Sequence, residues 1–134
     1  MKKEQMIITA AIIEEDGKYL ITQRPAGGHL PLKWEFPGGR VEFGEDPKDS
    51  LKREIKEELG ADLHIFSIFG HSSFTYNNLR HVILLAFNCY LYPGTLRKIG
   101  VKDYKWVTLK TMNRYDFCEA DIPIVKELQK RFLR

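Results

Sequence analysis

Two periods of hydrophobic spacing run through this chain. Residues 6–13 (MIITAAII) and 18–23 (KYLITQ) are strand-like runs, and the Asp16-Gly17 pair between them marks a hairpin. A loop rich in glycine and proline follows (RPAGGHLPLKWEF) and ends in a short apolar strand leading into Pro37-Gly38-Gly39. From there the spacing becomes helical. Asp46 is a good N-cap, Pro47 suits the first helical position, Asp49 sits three residues past the cap like a capping-box acid, and Gly60 supplies the stop. Between them Leu51, Ile55 and Leu59 recur at i, i+4, i+8 and form one buried stripe.

After this helix, ADLHIFSIFGHSSFTY reads as two strand-like runs broken near Gly70, and Asn77-Asn78 as the next turn. RHVILLAFNCYLY is long, apolar and rich in β-branched and aromatic residues, as a central strand would be. Pro93-Gly94 turns the chain, and the segment to Trp106-Val107 adds one or two more strands. The C-terminal stretch RYDFCEADIPIVKELQKRF begins as a loop and becomes a helix over 121–132, with Asp121 as N-cap, Pro123 in the first turn and Ile124, Val125, Leu128 and Phe132 as its buried stripe. The expected fold is α+β, a mixed, mostly antiparallel sheet with one helix on each side. A length of 134 residues fits one domain, 1–134.

The first helix also carries chemistry. Glu54, Glu57 and Glu58 fall at i, i+3, i+4, centred roughly 110° from the apolar stripe, so they converge at the edge of the core. Three convergent carboxylates repel one another and call for cations. Arg53 can pair with Glu57 and fix its rotamer, but one arginine does not neutralise three acids. Hard oxygen ligands around a phosphate suit Mg²⁺ or Mn²⁺ better than zinc. The plain alternative is a solvated, charged helix face. The paired glycines upstream weigh against it, because they remove side chains where backbone must come close to something.

Gly39, Glu45, Arg53, Glu54, Glu57, Glu58 and Gly60 together stand at the spacing of the Nudix box, over residues 39–61, and the stretch resembles that family. With each residue type at about 7% of average usage, seven such matches at one window arise by chance on the order of once in 10⁸. Ala61 departs from the pattern, being small where a bulkier aliphatic is usual. The resemblance implies a Nudix fold and hydrolysis of a nucleoside diphosphate linked to another moiety. Mg²⁺ would be held by Glu54, Glu57, Glu58 and the Gly39 carbonyl, with Arg53 orienting Glu57 and Glu45 supporting the glutamates.

Substrate residues are suggested by the flanking segments. Arg24 and His29 can donate to anionic oxygen and Phe36 offers a ring, although each alone reads as ordinary surface or core. ITQRPAGGHLPLKWEFPGG is similar to the same segment of MutT-type triphosphate pyrophosphohydrolases, in which the matching arginine, histidine and phenylalanine line the nucleotide pocket. By the same resemblance Arg80 is a substrate contact. DFCEADIP resembles the pocket-closing segment of that branch, with Asp121 where an asparagine reads an oxidised guanine; the Ala-Asp-Ile-Pro run is also similar to the CTP pyrophosphohydrolase branch. An ionised aspartate accepts hydrogen bonds, as a cytosine N4 amine requires. The implied reaction is NTP and water to NMP and pyrophosphate, on cytidine-type triphosphates. Oxidised dGTP, another nucleoside diphosphate derivative and a non-catalytic nucleotide-binding module are the alternatives. Where many relatives carry a further glutamate as metal ligand or general base, this chain has Gly100, with Asp103 the nearby acid. Either Asp103 substitutes, or the box glutamates activate water themselves.

Composition narrows the setting. Hydrophobic content of 43% and charged content of 29% are ordinary for a soluble protein. No apolar run approaches membrane-spanning length, and MKKEQMIITAAIIEED turns acidic before any cleavage site, so a cytoplasmic location is expected. Cys89 and Cys118 lack metal-ligand spacing and read as structural, as do His64, His71 and His81. The net charge of +3 is uneven: residues 39–61 hold seven acids and five bases, and the remainder eleven acids and sixteen bases. An acidic metal site in a basic body attracts polyphosphate. The expected partner is a small-molecule nucleotide, with no nucleic-acid polymer and no membrane; monomer and homodimer both remain open.

Overall fold

The computed structural model describes residues 1–133. Its elements in order are β1 (Glu4–Glu15), β2 (Lys18–Gln23), β3 (Trp34–Glu35), β4 (Gly38–Arg40), α1 (Pro47–Leu59), β5 (Leu63–Tyr76), β6 (Arg80–Leu91), β7 (Asp103–Thr108), a 3-10 turn (Leu109–Arg114) and α2 (Ile122–Phe132). β1 is the hub. It lies parallel to β6 from Glu4↔Arg80 to Ile13↔Cys89, pairs antiparallel with β4 from Ile8↔Arg40 to Ala10↔Gly38, and hands over to β2 at Glu14↔Tyr19. β2 in turn pairs antiparallel with β7 and β3, and β5 flanks β6 as the outer strand. Both tight hairpins have two consecutive left-handed residues, Asp16-Gly17 (φ 52° and 81°) and Asn77-Asn78 (φ 52° and 58°), the turn geometry that matches strand twist.

Alternation along the strands divides the interior between two faces. Ala10 and Ile12 pack with Tyr19, Ile21, Leu84 and Ala86 under Ile124, Val125 and Leu128 of α2. Ala11 and Ile13 face the other way, with Leu20, Phe87 and Cys89, against Leu51, Ile55 and Leu59 of α1. The sheet is therefore mixed and sandwiched between helices. α1 has the expected ends: the Asp46 carboxylate accepts from the N–H of Lys48 (2.8 Å) and Asp49 (3.4 Å), and Gly60 is left-handed (φ 67°) with its N–H on the Lys56 carbonyl.

Three local expectations need correction. Residues 63–76 form one strand, not two, because register shifts at Ile65/Ser67 and Ile68/Gly70 absorb extra residues without ending the ladder on β6. Of the one or two strands expected between Pro93 and Val107, one forms, β7. The preceding loop instead spends its N–H groups on the end of α1, with Arg97 donating to the Leu59 carbonyl and Ile99 and Gly100 to that of Glu58. Phe132 is exposed, since the last turn of α2 runs past the core. Asp121 stands at the N-cap position but makes no cap bond, because its side chain is engaged with the backbone of Phe36.

The seating of α1 is open to measurement. Ile55 is fully buried, so Ile55→Ala should cost about 2–5 kcal/mol in urea unfolding. Asp46→Ala should cost about 1 kcal/mol. An Ile55→Ala loss comparable to the cap loss would contradict the packing of α1 on β1.

Candidate active site

The site forms where β4 and α1 meet on β1. Pairing of Thr9 with Gly39 brings β4 beside α1, and the Thr9 hydroxyl donates to the Gly39 carbonyl at 3.3 Å. The Glu54 carboxylate lies so close to Gly39 that any Cβ there would overlap it. Gly38 is equally constrained from the other side, by the Thr9 carbonyl.

Arg53 clamps the acidic cluster. Its Nε and Nη2 hold Glu45 through two bonds of 2.7 and 2.9 Å, Nη1 reaches Glu54 at 3.0 Å and Glu57 at 3.1 Å, and Nη2 also donates to the Arg40 carbonyl. Glu45 is tied down further by the Glu42 N–H (3.0 Å), and its carboxyl is held down to about 2, chiefly by the Arg53 bonds. Glu57 is exposed and turned toward Arg53, away from the cavity wall.

Glu54 and Glu58 face a cavity of about 270 Å³. Burial raises the Glu54 carboxyl despite Arg53. It pushes Glu58 up to about 9, with the charges of Glu35 and Glu54 adding to the effect. The Oε2 atom of Glu58 is buried without a hydrogen-bond partner. Two carboxylates at a cavity wall, one held by a single arginine bond and the other with an orphaned oxygen, fit a bound divalent cation.

Arg24, His29, Phe36, Arg80 and Asp121 border the same cavity. Arg24 is partly spoken for: its Nε donates to the His29 carbonyl (2.9 Å) and its Nη1 pairs with Glu35 (3.2 Å). His29 stands edge-on to Tyr76 (5.3 Å) with Nε2 unpartnered, and burial together with Arg80 and Arg24 lowers its pKa. Arg80 reaches Met6 Sδ at 3.8 Å and leaves its Nε unpartnered. Phe36 is a buried ring whose N–H donates to Asp121 Oδ2 at 2.9 Å. Burial and the charge of Glu35 push the Asp121 carboxyl well up.

Glu35 is the residue that sequence reasoning missed. Trp34 and Phe36 are buried in the core, whereas Glu35 lies on the cavity wall. Ligand atoms of Glu35, Cys118 and Asp121 all lie within 4.8 Å of one another. The available signal was a charge inside the short apolar run Trp34-Glu35-Phe36. Asp103, in contrast, pairs with Lys98 at 3.0 Å and does not border the cavity. Gly100 packs on α1, where a Cβ would come 3.2 Å from Glu58 Cγ and 3.3 Å from its Cα.

A profile of the NUDIX domain matches residues 3–128. This chain belongs to the Nudix family. It is similar to the 8-oxo-dGTP diphosphatase of Escherichia coli strain K12, 32% identical over 130 residues that cover 97% of this chain and 99% of that one. It is also similar to the CTP pyrophosphohydrolase of the same strain, 34% identical over 120 residues, covering 89% and 87%. The crystal structure of a MutT protein from Methanosarcina mazei Go1 superposes with a TM-score of 0.86 over 100% of this chain and 99% of that one; at 24% identity this speaks for the fold. The chain is thus a Nudix hydrolase, and enzymes of this family act on small nucleotide substrates with divalent metal ions. Among the described residues no helix is long and apolar enough to cross a membrane.

The buried Glu58 makes the metal-free fold sensitive to pH. A carboxyl at about 9 in the fold, against 4.5 in the open chain, supports the fold fully below pH 4.5 and loses that contribution as pH rises toward 9. Metal-free Glu58→Gln should therefore melt above the parent at pH 8, by roughly 5 °C or more, and the gap should close toward pH 4.5. Calorimetry at both pH values checks this. A pH-independent gap would mean that Glu58 ionises freely.

Proposed function

We propose that this chain is a Mg²⁺-dependent nucleoside triphosphate pyrophosphohydrolase, converting NTP and water to NMP and pyrophosphate, with cytidine-type triphosphates preferred. The observation that carries this reading is one cavity whose lining combines Glu54 and the orphaned oxygen of Glu58 with Arg24, His29 and Arg80. Carboxylates that require a cation and donors that require an anion are what a metal-polyphosphate complex satisfies together.

Glu54, Glu58 and the Gly39 carbonyl would hold the metal, and Glu57, which Arg53 turns from the cavity here, would join them on leaving that bond. When bound, Mg²⁺, or Mn²⁺ in its place, neutralises phosphate charge and lowers the pKa of attacking water. Arg53 positions Glu54 and Glu57, and Glu45 positions Arg53. Arg24, His29 and Arg80 would bind phosphate and ribose oxygens. With Asp103 tied to Lys98 and Gly100 bare, water activation falls to the box glutamates.

Phe36 and Asp121 would border the base. Asp121 keeps acceptor lone pairs beyond the one used by Phe36, and Glu35, ion-paired with Arg24, stands beside it as a second acceptor. An acceptor-rich edge favours an exocyclic amine such as cytosine N4. A raised Asp121 pKa also supplies a donor hydroxyl, which a guanine O6 could accept, so oxidised dGTP is the second reading.

Release of pyrophosphate and orthophosphate from a triphosphate panel with Mg²⁺ tests both levels. Pyrophosphate should dominate, led by CTP or dCTP, and Glu54→Gln or Glu58→Gln should lower kcat by roughly 10²-fold or more. Glu57→Gln should raise the Mg²⁺ concentration needed for half-maximal turnover; if it left metal dependence and turnover unchanged, the ligand assignment would fail. Oxidised dGTP in the lead would keep the chemistry and discard the cytidine preference. No pyrophosphate from any triphosphate would leave other nucleoside diphosphate derivatives, or binding without cleavage.

A further inference from the structure

Ala120, the residue before Asp121, is held in place by two side chains of β5. It is buried, and among the described residues no backbone bond reaches its N–H or its carbonyl. Tyr76 Oη accepts from the Ala120 N–H at 3.1 Å, and the Ser72 hydroxyl donates to the Ala120 carbonyl. Just upstream the segment is tied by backbone instead: Trp34 donates to the Asp116 carbonyl and accepts from the Cys118 N–H, both at 2.9 Å. Support from β3 therefore ends at Cys118, and two hydroxyls from a distant strand take over. A buried peptide group without a partner is costly, so these hydroxyls fix where the peptide leading into Asp121 lies.

Tyr76 also adjoins the other groups of the cavity. Its ring meets that of His29 edge-on, with centroids 5.3 Å apart, and its backbone pairs across the hairpin with Arg80. The Asp121 carboxylate, in turn, is held by the Phe36 N–H at 2.9 Å. Asp121 is thus set from two directions, its side chain by β3 and its backbone through Ala120 by β5. Neither bond of Ser72 and Tyr76 to Ala120 involves Glu54 or Glu58.

We propose that Tyr76 and Ser72 are positioning residues for base selection, acting through Ala120 to fix the place of the Asp121 carboxyl. The proposal rests on the reading of the cavity as a nucleotide pocket with Asp121 at its base end. Filling space under Ala120 would call only for apolar side chains; its buried N–H and carbonyl call for an acceptor and a donor at two set points, which the two hydroxyls supply. A carboxyl free to shift would meet an amine and a carbonyl of the base on more nearly equal terms, so its discrimination would fall. Metal-dependent cleavage, carried by α1 and β4, would not depend on these bonds.

Tyr76→Phe and Ser72→Ala remove the hydroxyls, and Tyr76→Phe keeps the ring against His29. With the triphosphate panel, each should lower the ratio of kcat/KM for the best triphosphate to that for the next base by roughly 5-fold or more, while the Mg²⁺ concentration for half-maximal turnover stays unchanged. Both act on Ala120, so the double variant should lose little more than either alone. A ratio within about twofold of the parent in Tyr76→Phe overturns the proposal even where the melting temperature falls, since a merely structural bond would move stability alone. If Ser72→Ala does not fold, Tyr76→Phe decides. If the parent cleaves no triphosphate, the pyrophosphohydrolase reading fails separately, and calorimetric binding of CMP and 8-oxo-dGMP takes the place of turnover: a ratio of Kd values that moves toward one in Tyr76→Phe supports the positioning role, and an unchanged ratio, or a parent that binds neither, refutes it.

Discussion

The contact between the Gly39 backbone and the Glu54 carboxylate sets the dimensions of the whole site. It requires α1 to lie against β4 with no side chain between them. That approach is possible because β1 pairs with β4 on one side and β6 on the other, while its Ala11 and Ile13 receive the apolar stripe of α1. Burial of Leu51, Ile55 and Leu59 supplies the force that holds the helix down, at about 1.5–3 kcal/mol for each side chain. The carboxylates one to three positions away are carried to the edge of the core by the same rotation of the helix. Packing and chemistry are consequently one arrangement: a displacement of α1 would move both.

The arrangement has an electrostatic cost. Arg53 relieves Glu45, Glu54 and Glu57, all within hydrogen-bond distance, yet nothing among the described residues reaches Glu58 Oε2. Glu35, paired with Arg24 but itself raised by burial, adds to the repulsion on Glu58. A carboxylate kept in this position weakens the fold at neutral pH in the absence of a cation. Such local conflict is characteristic of functional sites, where residues are placed for a ligand and the rest of the fold sustains them.

Legibility in the sequence followed the range of the interactions. α1 could be read residue by residue, since its caps and stripe are settled within a few positions of one another, and the family box on it has fixed spacing. β5 was misread as two strands because the residues that continue it belong to β6, about 20 positions onward in the chain. Asp121 was read as a cap from its place before Pro123. The bond that claims it comes from Phe36, 85 residues away, and no local pattern reports it. Glu35 was overlooked for a related reason: a lone acid in an apolar strand gains meaning only when Arg24 and Asp121 are folded around it.

The loop before β7 bears on how water is activated. Gly100 sits against Glu58, its N–H donating to the Glu58 carbonyl at 3.1 Å, and even a Cβ there would press on Glu58 Cγ. A side chain at this position would need Glu58 or the loop to give by a few tenths of an ångström. The chain uses the loop instead to satisfy the last carbonyls of the helix that holds the carboxylates. Under the proposed reaction a proton taken from water would pass to an acid already on the wall, where burial raises Glu54, Glu58 and Asp121 alike and Glu58 Oε2 is the oxygen without a partner among the described residues. A bound cation would lower the affinity of Glu58 for a proton, which accords with the proposal that the box glutamates themselves activate water.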